Sequence, residues 1–220
     1  MKQKESMRTE KDTMGEMLVP SDAYWGASTQ RAVLNFPISE LKFPKEFNHI
    51  LGRVKRAAAK ANYELGKLDK EVSELIVQAA DDVVQGDLDD YFVVDLFQTG
   101  SGTSTNTNAN EVIANRAFEI GNRVLKVHPN DQVNMGQSSN DVIPTVSHLT
   151  AAQSINEQLI PSLVQLKSSL DAKSSETWEI IKTGRTHLQD ATPIRLGQEF
   201  LGYSQPVSYT HLTLPTSDLV

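Results

Sequence analysis

Apolar residues that recur at three- and four-residue steps constrain this chain more than any other feature. Phe47, Ile50, Leu51, Val54, Ala57, Ala58 and Ala61 follow that spacing, and Gly66 supplies a stop. After Asp69, a good capping residue, Val72, Leu75, Ile76, Ala79, Ala80, Val83 and Val84 repeat it as far as Gly86. The spacing predicts two amphipathic helices joined by a tight turn. A further helix is expected over NEVIANRAFEIGNRV, with Val112, Ile113, Ala117 and Ile120 inward. The longest is expected from Pro144, in a first turn, to about Lys173, with a kink or break at Pro161. No internal repeat and no β-sheet pattern stands out, so the expected class is mainly α. The first 45 residues read as irregular, with Trp25, Phe36 and Phe43 as anchors onto the main body.

Three segments break the periodic pattern. TGSGTSTNTNAN, HPNDQVNMGQSSND and the stretch from Lys182 to Asp190 are rich in small polar residues, and each is expected to lead into a helix. Thr192 as cap and Pro193 in the first turn would start the last of these helices. A helix N-terminus offers unpaired N–H groups and the positive end of its dipole, which suits a carboxylate. Ser, Thr and Asn add neutral donors, so three such segments can converge on one small anion. The bland alternative for each segment alone is a solvated loop with a capping residue. A phosphate loop does not fit, because GSGT is followed neither by Gly-Lys-Ser/Thr nor by the spacing of a dinucleotide fingerprint. His128 beside Asp131 is too few ligands for a metal, so none is expected.

His187, in GRTHLQDATP, is the best titratable candidate, since histidine exchanges protons near neutrality. A structural histidine in a loop is the competing reading. His49, His148 and His211 lack polar neighbours and read as surface or core residues. The net charge of −7 leaves no footprint for nucleic acid or an anionic membrane. With 39% hydrophobic and 22% charged residues the chain suits a globular fold, and with no cysteine it fits a reducing compartment. No signal-like or membrane-spanning stretch is present, so a cytoplasmic location is expected.

Taken together, GSGTSTNTNANEVIANRA, VHPNDQVNMGQSSNDVIPT and KTGRTHLQDATPIRLGQEF resemble three stretches of the class II fumarases, within the fumarase/aspartase superfamily. RTEKDTMGEMLVPSDAYWGASTQRA resembles that family's opening segment, so the likeness runs from Arg8 to Tyr203. GSGT and QSSND favour fumarases over aspartases, which tend to show GAGT and QSTND; aspartate ammonia-lyase is the alternative enzyme. The resemblance implies an N-terminal, mostly helical domain over residues 1–140. Residues 141–205 would then begin a long-helix bundle. It also implies reversible, cofactor-free hydration of fumarate to (S)-malate in the tricarboxylic acid cycle by a homotetramer whose sites each draw on three subunits.

By the same resemblance, Ser101, Gly102 and Thr103 belong to the first substrate segment. Ser138, Ser139 and Asn140 come from the second and Thr186 from the third, with His187 placed at the reacting water. His128, Pro129, Asn130 and Asp131 match a second anion site, although Leu125 stands where some fumarases carry an arginine. The family's Gly-Ser-Ser-x-Met-Pro-x-Lys-x-Asn loop, with its proton-abstracting serine, does not occur in this sequence. The chain is therefore expected to be an N-terminal fragment with little or no activity of its own, and a non-catalytic helical protein is the alternative from another class. Residues 206–220 resemble nothing in the family and read as a non-native tail. There Pro206 and Pro215 would break a helix, and Tyr209, Thr210, Leu212, Thr213 and Leu214 suggest a short strand.

Overall fold

A computed structural model of the chain describes residues 6–213. The order is β1 (Met7–Asp12), β2 (Gly15–Pro20), α1 (Ala27–Asn35), α2 (Lys45–Glu64), α3 (Lys70–Gln85), α4 (Thr103–Ile120), α5 (Ser139–Ser154), α6 (Ile160–Glu176), β3 (Ile181–Thr186), β4 (Gln189–Arg195) and α7 (Leu196–Thr213). The mainly α class holds. The chain divides into two compact units, Met1–Thr150 and Ala151–Val220.

In the first unit α2, α3 and α4 pack around one core, with Leu51, Ile76, Val83, Val112 and Ile113 almost wholly buried. Helices α2 and α3 begin and end where the periodicity predicts. Gly66, at φ +66°, takes the left-handed conformation after α2, and Gly86 does so as the C-cap of α3. Asp69 occupies the N-cap of α3, but its side chain makes no capping hydrogen bond. The inward stripe of α2 differs from the predicted one. It runs Phe47, Leu51, Lys55, Ala59, while Ala57 and Ala61 are exposed. Arg116 links α4 to α3 through Asp82, 2.6 Å away.

The expectation of an irregular start fails. Residues 7–20 form an antiparallel hairpin, with Met7 opposite Pro20 and Asp12 opposite Gly15, followed by α1. Arg8 explains much of its stability, because its guanidinium donates to the carbonyl oxygens of Pro20, Ala23 and Trp25 at 2.7–2.8 Å. The N-terminus of α1 closes on a carboxylate from within the chain. Glu111 of α4 accepts from the backbone N–H groups of Gly26, Ser28 and Thr29 at 2.8–3.1 Å. Trp25 and Phe43 pack against the core as expected, whereas Phe36 is half-buried outside it.

The long helix is interrupted as Pro161 suggests, by a π-helical turn over Ile155–Leu159 immediately before α6. Pro144 is not in a first turn, because α5 already starts at Ser139. In the second unit β3 and β4 form a second hairpin, with Thr186 opposite Gln189. Thr192 and Pro193 therefore lie on β4, and the last helix starts at Leu196. A proline at an edge of a two-stranded ribbon costs no ladder bond to a further strand. Helices α6 and α7 approach closely at Gly197, where a Cβ would fall 2.4 Å from the Ser174 carbonyl oxygen.

Pro206 lies inside α7 and does not break it, and Tyr209 and Thr210 are helical rather than a strand. Leu214 and Pro215 lie outside the described residues. No aliphatic or aromatic side chain of the second unit is buried among the described residues, and Leu159, Val164, Leu166, Leu201 and Tyr203 are exposed. No helix among those residues is long and apolar enough to cross a membrane.

Candidate active site

Two of the three polar segments come together. The first is not a loop before a helix. It is the opening of α4 itself, which begins at Thr103 and buries Thr105, Asn106, Asn108 and Asn110. Gly102 is the N-cap, at φ +67°, and a Cβ there would lie 2.9 Å from Ile143 Cγ2 of α5. Only glycine meets both demands, the left-handed backbone and the close approach. The second segment ends in Ser138, whose carbonyl oxygen accepts from the N–H groups of Asp141 and Val142 and whose hydroxyl accepts from the N–H of Asn140 at 3.3 Å. Ser138 thus caps α5.

These two helix starts meet through hydroxyls. Thr103 Oγ1 lies 2.8 Å from Ser101 Oγ and 3.1 Å from Ser139 Oγ. Ser101, Thr103, Ser138 and Asn140 are exposed and Ser139 is half-buried, so their donors remain accessible. Two positive helix ends and a row of neutral hydroxyls can hold a carboxylate without burying a cation beside it.

Behind this row stand residues that sequence reasoning did not single out. Gln98 accepts from the Ser104 N–H at 2.9 Å and donates to the Thr105 hydroxyl, which braces the first turn of α4. Asn108 bridges α4 to the segment that precedes it, accepting from the Val93 N–H at 3.0 Å and donating to the Tyr91 carbonyl oxygen at 2.9 Å. Lys55 of α2 supports the second segment by bonding its Asn134 and Gln137. A signal for Lys55 was present, since it falls four residues from both Leu51 and Ala59 on the buried stripe of α2. No local spacing marks Gln98 or Asn134, whose partners are distant or lie in irregular backbone.

His128, Pro129, Asn130 and Asp131 form a separate π-helical turn on the surface. His128 Nδ1 accepts from the Asp131 N–H at 3.1 Å, so a neutral ring in this arrangement carries its proton on Nε2. The Asp131 carboxylate lies 3.2 Å from the same Nδ1.

Thr186 and His187 lie in the other unit, at the tip of the β3–β4 hairpin, and the third polar segment does not lead into a helix. His187 and Leu188 hold φ values of +50° and +62°. Positive φ at both central residues of a two-residue hairpin turn is the mark of a type I′ turn. The turn projects the imidazole into solvent. Arg185 and Asp190 pair across its base at 3.2 Å. His49, by contrast, is structural, with Nε2 2.9 Å from Asp89 Oδ1. His148 is exposed, and the side chain of His211 lies outside the described residues.

A cavity of about 430 Å³ lies elsewhere in the first unit, between the first hairpin and the end of α4, with Arg8, Tyr24, Glu119 and Arg123 in its wall. It contains none of the three polar segments. Among the described residues no group of three or more His, Asp or Glu side chains is placed to hold a metal ion.

The sequence family described as lyase matches residues 15–216. The chain is 58% identical over 208 residues to the class II fumarate hydratase of Halobacterium salinarum, covering 92% of this chain and 44% of that protein. Its fold is similar to a fumarate lyase:delta crystallin structure from Brucella melitensis, with TM-score 0.90, 45% identity, and coverage of 96% of this chain and 50% of that one. It is similar also to the recombinant class II fumarase of Schistosoma mansoni, with TM-score 0.86, 39% identity, and coverage of 94% and 44%. The chain spans about half the length or less of these relatives.

Proposed function

Since the chain belongs to the lyase family, we propose that its polar segments are the first part of a fumarate hydratase site. The reaction is reversible addition of water to fumarate, giving (S)-malate, as in the tricarboxylic acid cycle. The observation that carries this reading is the meeting of the α4 and α5 N-termini through Thr103 and Ser139, 3.1 Å apart. The 58% identity to a class II fumarate hydratase supports it.

The chemical difficulty lies in removing a weakly acidic C–H proton beside a carboxylate. Charge then builds up on that carboxylate, and donors fixed in advance stabilise it without reorganising. In this reading Ser101, Gly102, Thr103, Ser138, Ser139 and Asn140 supply those donors, with both helix dipoles behind them. Thr186 adds one from the hairpin. His187 stands at the reacting water, as proton donor or as the group that orients it. His128 to Asp131 form a second anion site, offered through His128 Nε2 and the turn around it.

The loop that carries the proton-abstracting serine in the fumarases is not among these 220 residues. We therefore expect the 220-residue chain to hydrate fumarate weakly or not at all. The exposed apolar side chains of the second unit support a working form in which more chain, and further copies in a homotetramer, cover them. We place that form in the cytoplasm. The test is to follow loss of the fumarate double bond by ultraviolet absorbance with a chain carrying the full length of its curated relatives. Hydration of fumarate is the expected result. Deamination of aspartate with fumarate left untouched would assign the site to a different lyase.

A further inference from the structure

Lys55 is the largest of the fully buried side chains among the described residues. It points inward from α2, and no ion pair reaches it among the described residues. Its Nζ donates to Asn134 Oδ1 at 2.9 Å and to Gln137 Oε1 at 3.0 Å. Asn134 Oδ1 also accepts from Asn106 Nδ2 of α4 at 3.1 Å. Two turns further along α2, Asn62 Nδ2 donates to the Met135 carbonyl oxygen at 3.0 Å. The bend is closed on itself as well, because Asn134 Nδ2 donates to the Gln137 carbonyl oxygen at 3.1 Å. Immediately after it come Ser138, the cap of α5, and Ser139.

We propose that Lys55 is a positioning residue of the carboxylate site: its buried amino group fixes the bend of residues 134–137 and so the placement of Ser138, Ser139 and Asn140. The proposal rests on the reading of those three residues as substrate donors. The order of the bend is measured without substrate, so the two ideas fail separately.

The alternative is that Lys55 merely fills space, which an apolar side chain of similar length would do as well. Its protonation separates the two. The groups bonded to Nζ are Asn134 and Gln137 from the bend, with Asn106 of α4 on the same Asn134 oxygen, and none of them titrates. Burial alone therefore pulls the Lys55 amine down to about 7 from its ordinary 10.5. A neutral amine keeps two N–H groups, enough for both amide oxygens. If the bend opens, Lys55 enters water and recovers its ordinary affinity for protons. The opened state then binds more protons between about 7 and 10.5, so the closed bend gains stability as pH rises through that window. That gain is lost as pH falls through about 7.

Hydrogen exchange on the 220-residue chain reads this directly, as protection factors corrected for the intrinsic pH dependence of exchange. In the wild-type chain, protection over residues 134–142 should rise above about pH 7, toward the limit of about tenfold per pH unit that one released proton allows. Lys55→Met should lower protection over that stretch and flatten its slope, while α3 stays protected. Asn134→Asp should place a carboxylate beside Nζ and move the rise to higher pH. Wild-type protection retained in Lys55→Met would overturn the proposal. So would a pH response that Asn134→Asp leaves unmoved, and this second variant decides the matter if Lys55→Met unfolds the whole chain.

Discussion

Thr103 Oγ1 and Ser139 Oγ lie 3.1 Å apart although 36 residues separate them in the chain. Each is the first residue of its helix. Their contact therefore holds two helix N-termini, each the positive end of its dipole, against one another. In this fold the same physics already operates once with an internal ligand, where the Glu111 carboxylate sits on the N-terminus of α1.

The approach of α4 to α5 depends on a missing side chain. Gly102 combines φ +67° with a space that Ile143 closes at 2.9 Å. Gly102→Ala should destabilise the chain by roughly 2–4 kcal/mol through backbone strain and overpacking. Urea denaturation of the two chains provides the comparison, and a change within about 0.5 kcal/mol would mean that α5 yields freely.

Helical periodicity made the extents of α2 and α3 legible, because each buries one face against a single core, although α2 turns a different stripe inward. The two hairpins were not legible. Residues 7–20 are held by Arg8 reaching the carbonyl oxygens of Pro20, Ala23 and Trp25 rather than by alternating apolar residues. Residues 181–195 are too exposed to need alternation. Pro206 lies inside α7, and nothing in the structure explains why the helix continues through it. Of the candidate site, the segments of Thr103 and Ser139, whose hydroxyls meet, stood out in the sequence as polar runs. Their supports could not be singled out, because Gln98, Asn134 and Gln137 act through tertiary contacts.

Acid should weaken the first hairpin in a defined way. Asp12 is gripped by Arg31 through two bonds of 2.8 and 3.1 Å, and this guanidinium holds its carboxyl below the ordinary 3.8. A lowered folded value means that the pair contributes stability above pH 3.8, which is lost as pH falls through the lower folded value. Arg31→Gln should thus be less stable than the wild type near neutrality, with the gap closing as the solution is acidified. Denaturant midpoints recorded across that range check it, and a constant gap would mean that Arg31 acts through packing alone.

The imidazole of His187 can be removed without disturbing its turn. Asparagine tolerates the left-handed conformation that His187 holds at φ +50°. His187→Asn should leave stability within about 0.5 kcal/mol of wild type. In a chain of the relatives' full length it should lower kcat by about 10²–10⁴-fold, the range of general acid–base assistance. Unchanged turnover would remove His187 from the reaction.

The central claim is that the α4 and α5 N-termini act as one carboxylate site, and a double-mutant cycle on Thr103→Val and Ser139→Ala tests it most directly. The cycle would be read as kcat/KM for fumarate in the full-length chain. Each single change should cost about a hundredfold. The double variant should lose clearly less than the product of the two, because donors that hold one group together are not independent. Full activity in either single variant, or losses that simply multiply, would contradict a shared site.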